Sequence, residues 1–214
     1  MRLRPAPAFL RYGLAVAVGV AVARWKGWIP GEGAGRARLE EVGRPATRVE
    51  GAWEELVGCR LVNERGNDGD SFVVEHQGRR YTVRLYFVDC PEKVRHQYNG
   101  DRLADQGRYF GGLSEGETVG VGEAARDFSL ERLRAGGFAV LTRWEAVFDS
   151  ERYYAFVGVP QGDLGELLVR EGLARIYTKG ENRPRGLRAA AEKQRLRDLE
   201  GAARRARRGG WGLR

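Results

Sequence analysis

Between Asn67 and Glu92 the chain is patterned as a β-hairpin, yet it carries charges where a buried strand should be apolar. Asp68-Gly69 and Gln77-Gly78 are turn dipeptides, and residues 72–76 and 81–88 read as two antiparallel strands joined by the second of them. Pairing those strands sets Asp70, at the start of one, near Asp89, at the end of the other, with Glu92 just beyond. Carboxylates gathered at one end of a hairpin can share a hard cation, which takes oxygen ligands. Arg84 interrupts Val83, Leu85, Phe87 and Val88 in a strand that should be largely buried. It is either ion-paired with Asp70 or Asp89, or it offers its planar fork to two phosphate oxygens.

The rest of the chain supplies a frame for this hairpin. Its 214 residues suffice for one domain with a proper core plus a leader. A first strand begins at Cys59, and residues 138–142 and 152–159 read as strands four and five. Helices are expected over residues 122–133, over 163–172 with Asp163 as cap and Gly172 as stop, and over 187–208 with Leu196, Leu199 and Ala203 as one stripe. A polar connection over residues 93–121 holds a further helix candidate near 102–110, either a surface excursion or a substrate rim. The expectation is an α+β domain: a five-stranded Greek-key β-barrel with about three packed helices.

Charge is unevenly distributed. The net +8 equals the excess of eleven Arg or Lys over three Glu or Asp in residues 183–214 alone, whereas residues 27–182 are net −5. This excludes a uniformly cationic nucleic-acid binder, although Arg204 and Arg205 in the tail can track phosphates. At the other end, Arg2, Arg4 and Arg11 precede an uncharged apolar run over residues 12–23, which ends in Ala21-Val22-Ala23. That run falls short of the roughly 20 residues that span a bilayer. Arg24-Trp25-Lys26-Gly27-Trp28 follows it, so residues 1–29 suit either a cleaved signal peptide or an uncleaved anchor, with membrane association through 12–29. Either makes the protein exported. Residues 30–52 read as a linker and 53–214 as the domain.

These motifs resemble the staphylococcal nuclease (thermonuclease-like) family. Asp68-Gly69-Asp70, Val83-Arg84-Leu85 and Asp89-Cys90-Pro91-Glu92 look like its signature, Asp149 through Ala155 looks like the segment bearing a second catalytic arginine, and the run from Leu164 to Ile176 and Trp211 also have counterparts. The resemblance implies an OB-fold and a Ca²⁺-dependent nuclease that hydrolyses DNA and/or RNA with little sequence preference; a monomer is expected. It assigns the metal to Asp70, Asp89 and the backbone carbonyl of Cys90, the attacking water to Glu92, and the charged transition state to Arg84 and Arg152. The turn before Arg152 is one residue shorter than the family pattern, with Glu151 where a glycine is usual. Tyr177 is expected to stack on a base or to pack, since aromatic faces accept any nucleotide. Oxygen ligands without histidine or thiolate favour Ca²⁺ or Mg²⁺ over zinc. Cys59 and Cys90 allow one bridge or two free thiols. Two other classes of function stay open: a nuclease-like barrel that only binds nucleic acid or protein, and a membrane-tethered scaffold.

Overall fold

The computed structural model describes residues 46–213; the leader and most of the linker lie outside them. Three short strands come first, β1 (Thr47–Glu50), β2 (Trp53–Val57) and β3 (Arg60–Leu61). Residues 47–50, which the sequence places in the linker, therefore form a strand, paired antiparallel to β2. The hairpin follows as β4 (Ser71–His76) and β5 (Arg79–Leu85), with Ser71 opposite Arg84 and His76 opposite Arg79. Gln77 and Gly78 both have positive φ, 52° and 73°, as a two-residue hairpin turn needs to match the strand twist.

The expected run to Val88 breaks after Leu85. Phe87 has φ 66°, a costly conformation for an aromatic residue, and it is held there by backbone bonds to Tyr177 and Lys179. The break turns β6 (Val88–Asp89) out of the main sheet to pair with β10 (Arg175–Ile176), placing Arg175 opposite Asp89. Two longer strands, β7 (Ala139–Ala146) and β8 (Arg152–Val159), complete the main sheet with β9 (Gly162–Asp163) at the end of β8. The order is β1-β2-β7-β8-β5-β4-β3, all antiparallel except β5 on β8. This corrects the expected closed five-stranded barrel to an open mixed sheet of eight strands. The sheet stays open because its edge strands do not meet: β1 pairs only with β2 and β3 only with β4.

The described residues form four α-helices rather than three: α1 (Gly100–Tyr109), α2 (Glu115–Arg134), α3 (Leu164–Arg170) and α4 (Ala189–Arg205), with α1 packed on α2 and α4 on α3. Ser114 and Glu117 form a reciprocal capping box that starts α2 well upstream of the expected residue 122. Asp163 caps α3 by accepting from the Glu166 amide at 3.0 Å, as the sequence predicts. Leu196 and Ala203 of α4 are buried against the domain. The core joins Leu56, Phe72, Val74, Val83, Val140 and Val157 of the sheet to Leu133 of α2 and Leu168 of α3. Among the described residues no helix is long and apolar enough to cross a membrane.

Two glycines let α2 approach the acidic segments. A Cβ on Gly122 would lie 2.5 Å from the carbonyl oxygens of both Pro91 and Glu92, and one on Gly69 would lie 2.9 Å from the Ala125 Cβ. Helix backbone thus rests directly on both loops that carry the carboxylates.

At the start of α3, Glu166 is buried, and its carboxyl is pushed up to about 7 by burial first and by Asp163 second, against Arg195. An acid raised above its ordinary 4.5 holds its proton more tightly in the native state. Its contribution to stability is therefore complete below that value and is lost as pH climbs toward 7. Glu166→Gln should shrink the stability lost between about pH 5 and pH 8 by on the order of 2 kcal/mol. Urea unfolding at both pH values measures this; an unchanged pH slope contradicts it.

Candidate active site

The site is built from the two ends of the hairpin and the β6 extension. Asp70, Arg84 and Asp89 are all buried. Arg84 Nη1 donates to Asp70 Oδ1 at 2.7 Å and Nη2 donates to Asp89 Oδ1 at 2.5 Å, so one guanidinium joins both carboxylates. The register that sets Ser71 opposite Arg84 produces this, because Asp70 immediately precedes Ser71. The Cys90 amide donates to Asp70 Oδ2 at 2.5 Å and completes the link from Asp70 to the acid loop.

Asp89 has more partners. Arg102 donates to Oδ1 at 2.8 Å, while Gln106 at 3.0 Å and Arg175 at 2.7 Å donate to Oδ2. The unequal surroundings split the two acids. Burial pushes the Asp70 carboxyl up; Arg84 opposes this, while Asp89 and Asp68 add to it. Burial pushes Asp89 the same way, but Arg84, Arg102 and Arg175 together overcome it and hold that carboxyl below the usual range. One guanidinium contact against three accounts for the difference.

Glu92 is tied to the same cluster through α1. Its amide donates to Gln106 Oε1 at 3.0 Å, and its carboxylate meets Arg102 Nε at 2.7 Å. Gln106 Nε2 also donates to the Cys90 carbonyl at 3.1 Å. A fully buried Gln106 therefore reaches Asp89, Cys90 and Glu92 at once. The connection over residues 93–121 is thus part of the site.

Cys59 and Cys90 are both buried and free, so no bridge joins them. Burial, together with Asp70, Asp68 and Asp89, pushes the Cys90 thiol well above its ordinary value and keeps it protonated. That leaves the Cys90 carbonyl, not its sulfur, as a donor for a metal.

The donor set suits a hard divalent ion, being carboxylate and carbonyl oxygen throughout. Asp70, Asp89 and the Cys90 carbonyl are the groups that would hold it. In the present arrangement, though, no three acidic, histidine or cysteine side chains converge on one point among the described residues. A carboxylate offers about four lone-pair sites, and Asp89 already fills four with Arg84, Arg102, Gln106 and Arg175.

A cleft of about 430 Å³ opens beside the cluster, lined among others by Arg84, Asp89, Arg102, Phe148, Arg152 and Tyr177. Arg152, at the start of β8, has Ser150 Oγ at 3.3 Å from Nε, and no carboxylate pairs with it among the described residues. Tyr177 is 67% exposed and its ring stacks on the Arg175 guanidinium at 3.9 Å. Phe148 is 85% exposed, with φ 50° in the turn before β8. Arg204 lies elsewhere, paired with Glu200 and stacked on Trp211, and neither it nor Arg205 lines the cleft.

Sequence reading missed Arg102, Gln106, Arg175 and Phe148. One signal was available: Gln106 stands three residues after Leu103 and four before Phe110, on the face of α1 that packs inward. A polar residue in such a stripe needs a buried partner.

The model of the staphylococcal nuclease homologue family matches residues 82–212, and the chain belongs to that family. Membership supports a relationship to nucleases and implies an OB-fold, here with an open mixed sheet. No match was found among curated proteins. Asp70 precedes the matched span and joins the site through the hairpin register and its bonds to Arg84 and the Cys90 amide.

Removing Arg84 should be costly, because it leaves Asp70 buried without its guanidinium partner. Arg84→Ala is expected to lower unfolding free energy by roughly 3–5 kcal/mol, the usual penalty for breaking a buried ion pair. Urea denaturation reads this directly, and a loss below about 1 kcal/mol would show that the pair is dispensable.

Proposed function

We propose that the protein is a Ca²⁺-dependent nuclease that hydrolyses phosphodiesters in DNA and/or RNA with low sequence preference. One observation carries the reading: a single cleft brings together Arg152, which no carboxylate pairs among the described residues, Asp89 and Arg84 of the buried cluster, and two exposed aromatic rings. Attack on a phosphodiester builds negative charge on its non-bridging oxygens. Arg152, with no carboxylate to satisfy, is the group best prepared to take that charge. Arg84 spends two of its five donors on Asp70 and Asp89 and keeps the others for a second oxygen. Glu92, whose backbone Gln106 holds in place, orients water and accepts its proton. A bound divalent ion would polarise the phosphate as a Lewis acid. Tyr177 and Phe148 offer faces to unstacked bases, which favours single-stranded or frayed substrate.

The charged leader supports export or tethering to a membrane, with the nuclease acting outside the cytoplasm. Mass spectrometry of the mature N-terminus distinguishes a cut leader from a retained anchor; an intact leader on cytoplasmic protein would refute both.

Hydrolysis of denatured DNA in Ca²⁺, with and without chelator, tests the main reading. Arg152→Ala should cost about 10²–10³ in kcat, and Glu92→Gln on the order of 10²–10⁴. Phe148→Ala should weaken single-stranded DNA binding by about 1–3 kcal/mol with little effect on duplex. Equal rates in chelator remove the metal from the mechanism. A second reading, a nuclease-like domain that binds without cleaving, draws on the contact between Arg102 and the acids. Undetectable turnover with tight oligonucleotide binding would favour it.

A further inference from the structure

Arg102 sits on the helix that the connection after Glu92 inserts beside the acids. Its Nη2 donates to Asp89 Oδ1 at 2.8 Å, and its Nε lies 2.7 Å from Glu92 Oε1, so it bridges an expected metal ligand and the expected base. Helix α1 is well anchored for this task. Leu103 is fully buried, Gln106 binds the acid loop, Tyr109 Oη accepts from the Ile176 amide at 3.1 Å, and Phe110 packs on Trp211. The guanidinium is therefore delivered by a fixed element and not by a wandering loop.

The four donors on Asp89 differ in how readily they can leave. The Arg84 and Arg175 side chains are 10% and 7% exposed, and Gln106 is fully buried. The Arg102 side chain is 46% exposed and already lines the cleft. Removing a buried partner would strand charge or an amide in the interior, whereas Arg102 can turn into water. A cation that needs an oxygen of Asp89 must displace one of the four, and Arg102 is the one whose departure costs least.

We propose that Arg102 is an internal competitor for the metal: its guanidinium occupies the cation position between Asp89 and Glu92 and must leave before a divalent ion can bind. It thereby sets the Ca²⁺ concentration at which the acids become available, while Gln106 and Arg175 keep Asp89 in place. This inference rests on the metal-dependent reading of the site, but it concerns binding and not turnover.

Calorimetric titration of the full chain with CaCl₂, without nucleic acid, tests it. Arg102→Ala should bind Ca²⁺ at least roughly tenfold more tightly than wild type, and Arg102→Gln should shift the same way because it lacks the charge. Lys179→Ala takes a positive charge from the same cleft without freeing an oxygen of Asp89, and its affinity should stay near wild type. Unchanged or weaker binding in both Arg102 variants with wild-type melting overturns the proposal. So does equal tightening by Lys179→Ala, which would mean that only the general field matters, and so does absence of binding in every protein. Failure of the nuclease reading looks different: no hydrolysis, or hydrolysis unaffected by chelator, while the order of Ca²⁺ affinities holds.

Discussion

A guanidinium buried between two carboxylates holds this site together. Arg84 comes from the end of β5, Asp70 from the residue before β4, and Asp89 from β6, so one side chain ties three segments at one corner of the sheet. Desolvating three charges is expensive, and the cluster persists only because almost every oxygen meets a donor. It also fixes geometry. With Arg84 in position, Asp70 and Asp89 can neither drift apart nor collapse onto each other.

The surrounding elements serve that corner from three sides. Helix α2 rests its backbone on the loops of Gly69 and Glu92, and Ser129 Oγ donates to the Gly69 carbonyl at 2.7 Å. Helix α1 reaches in with Gln106 and Arg102. Strand β10 brings Arg175 against Asp89, a pairing that exists because Phe87 turns the chain with a positive φ. Backbone strain at Phe87 is thus coupled to the cluster, since without the turn β6 would continue β5 and Asp89 would stay with the main sheet.

Two arginines with similar expected roles end in different environments. Arg84 is locked in the interior by its acids, while Arg152 stands in the cleft without one. Losing the first would strand two buried carboxylates, whereas losing the second would take from the cleft a positive charge that no carboxylate among the described residues neutralises. The same contrast holds for the tail, whose Arg204 is occupied by Glu200 and Trp211.

Much of the corner was legible from local pattern. Turn dipeptides define the hairpin, and its register sets Asp70 beside Arg84, one of the two pairings that the sequence offers for that arginine. Asp163 as a cap and the Leu196–Ala203 stripe are equally local signals, because capping and helical periodicity act within a few residues. What lay beyond the sequence was everything set by contacts across long separations. The open sheet, the departure of β6 to β10, the three extra donors on Asp89 and the docking of α1 all join residues far apart in the chain. Sequence determined which charges this protein would have to bury; only the tertiary structure decided which cations would face them, because an acid's partners are chosen by packing and not by neighbours along the backbone.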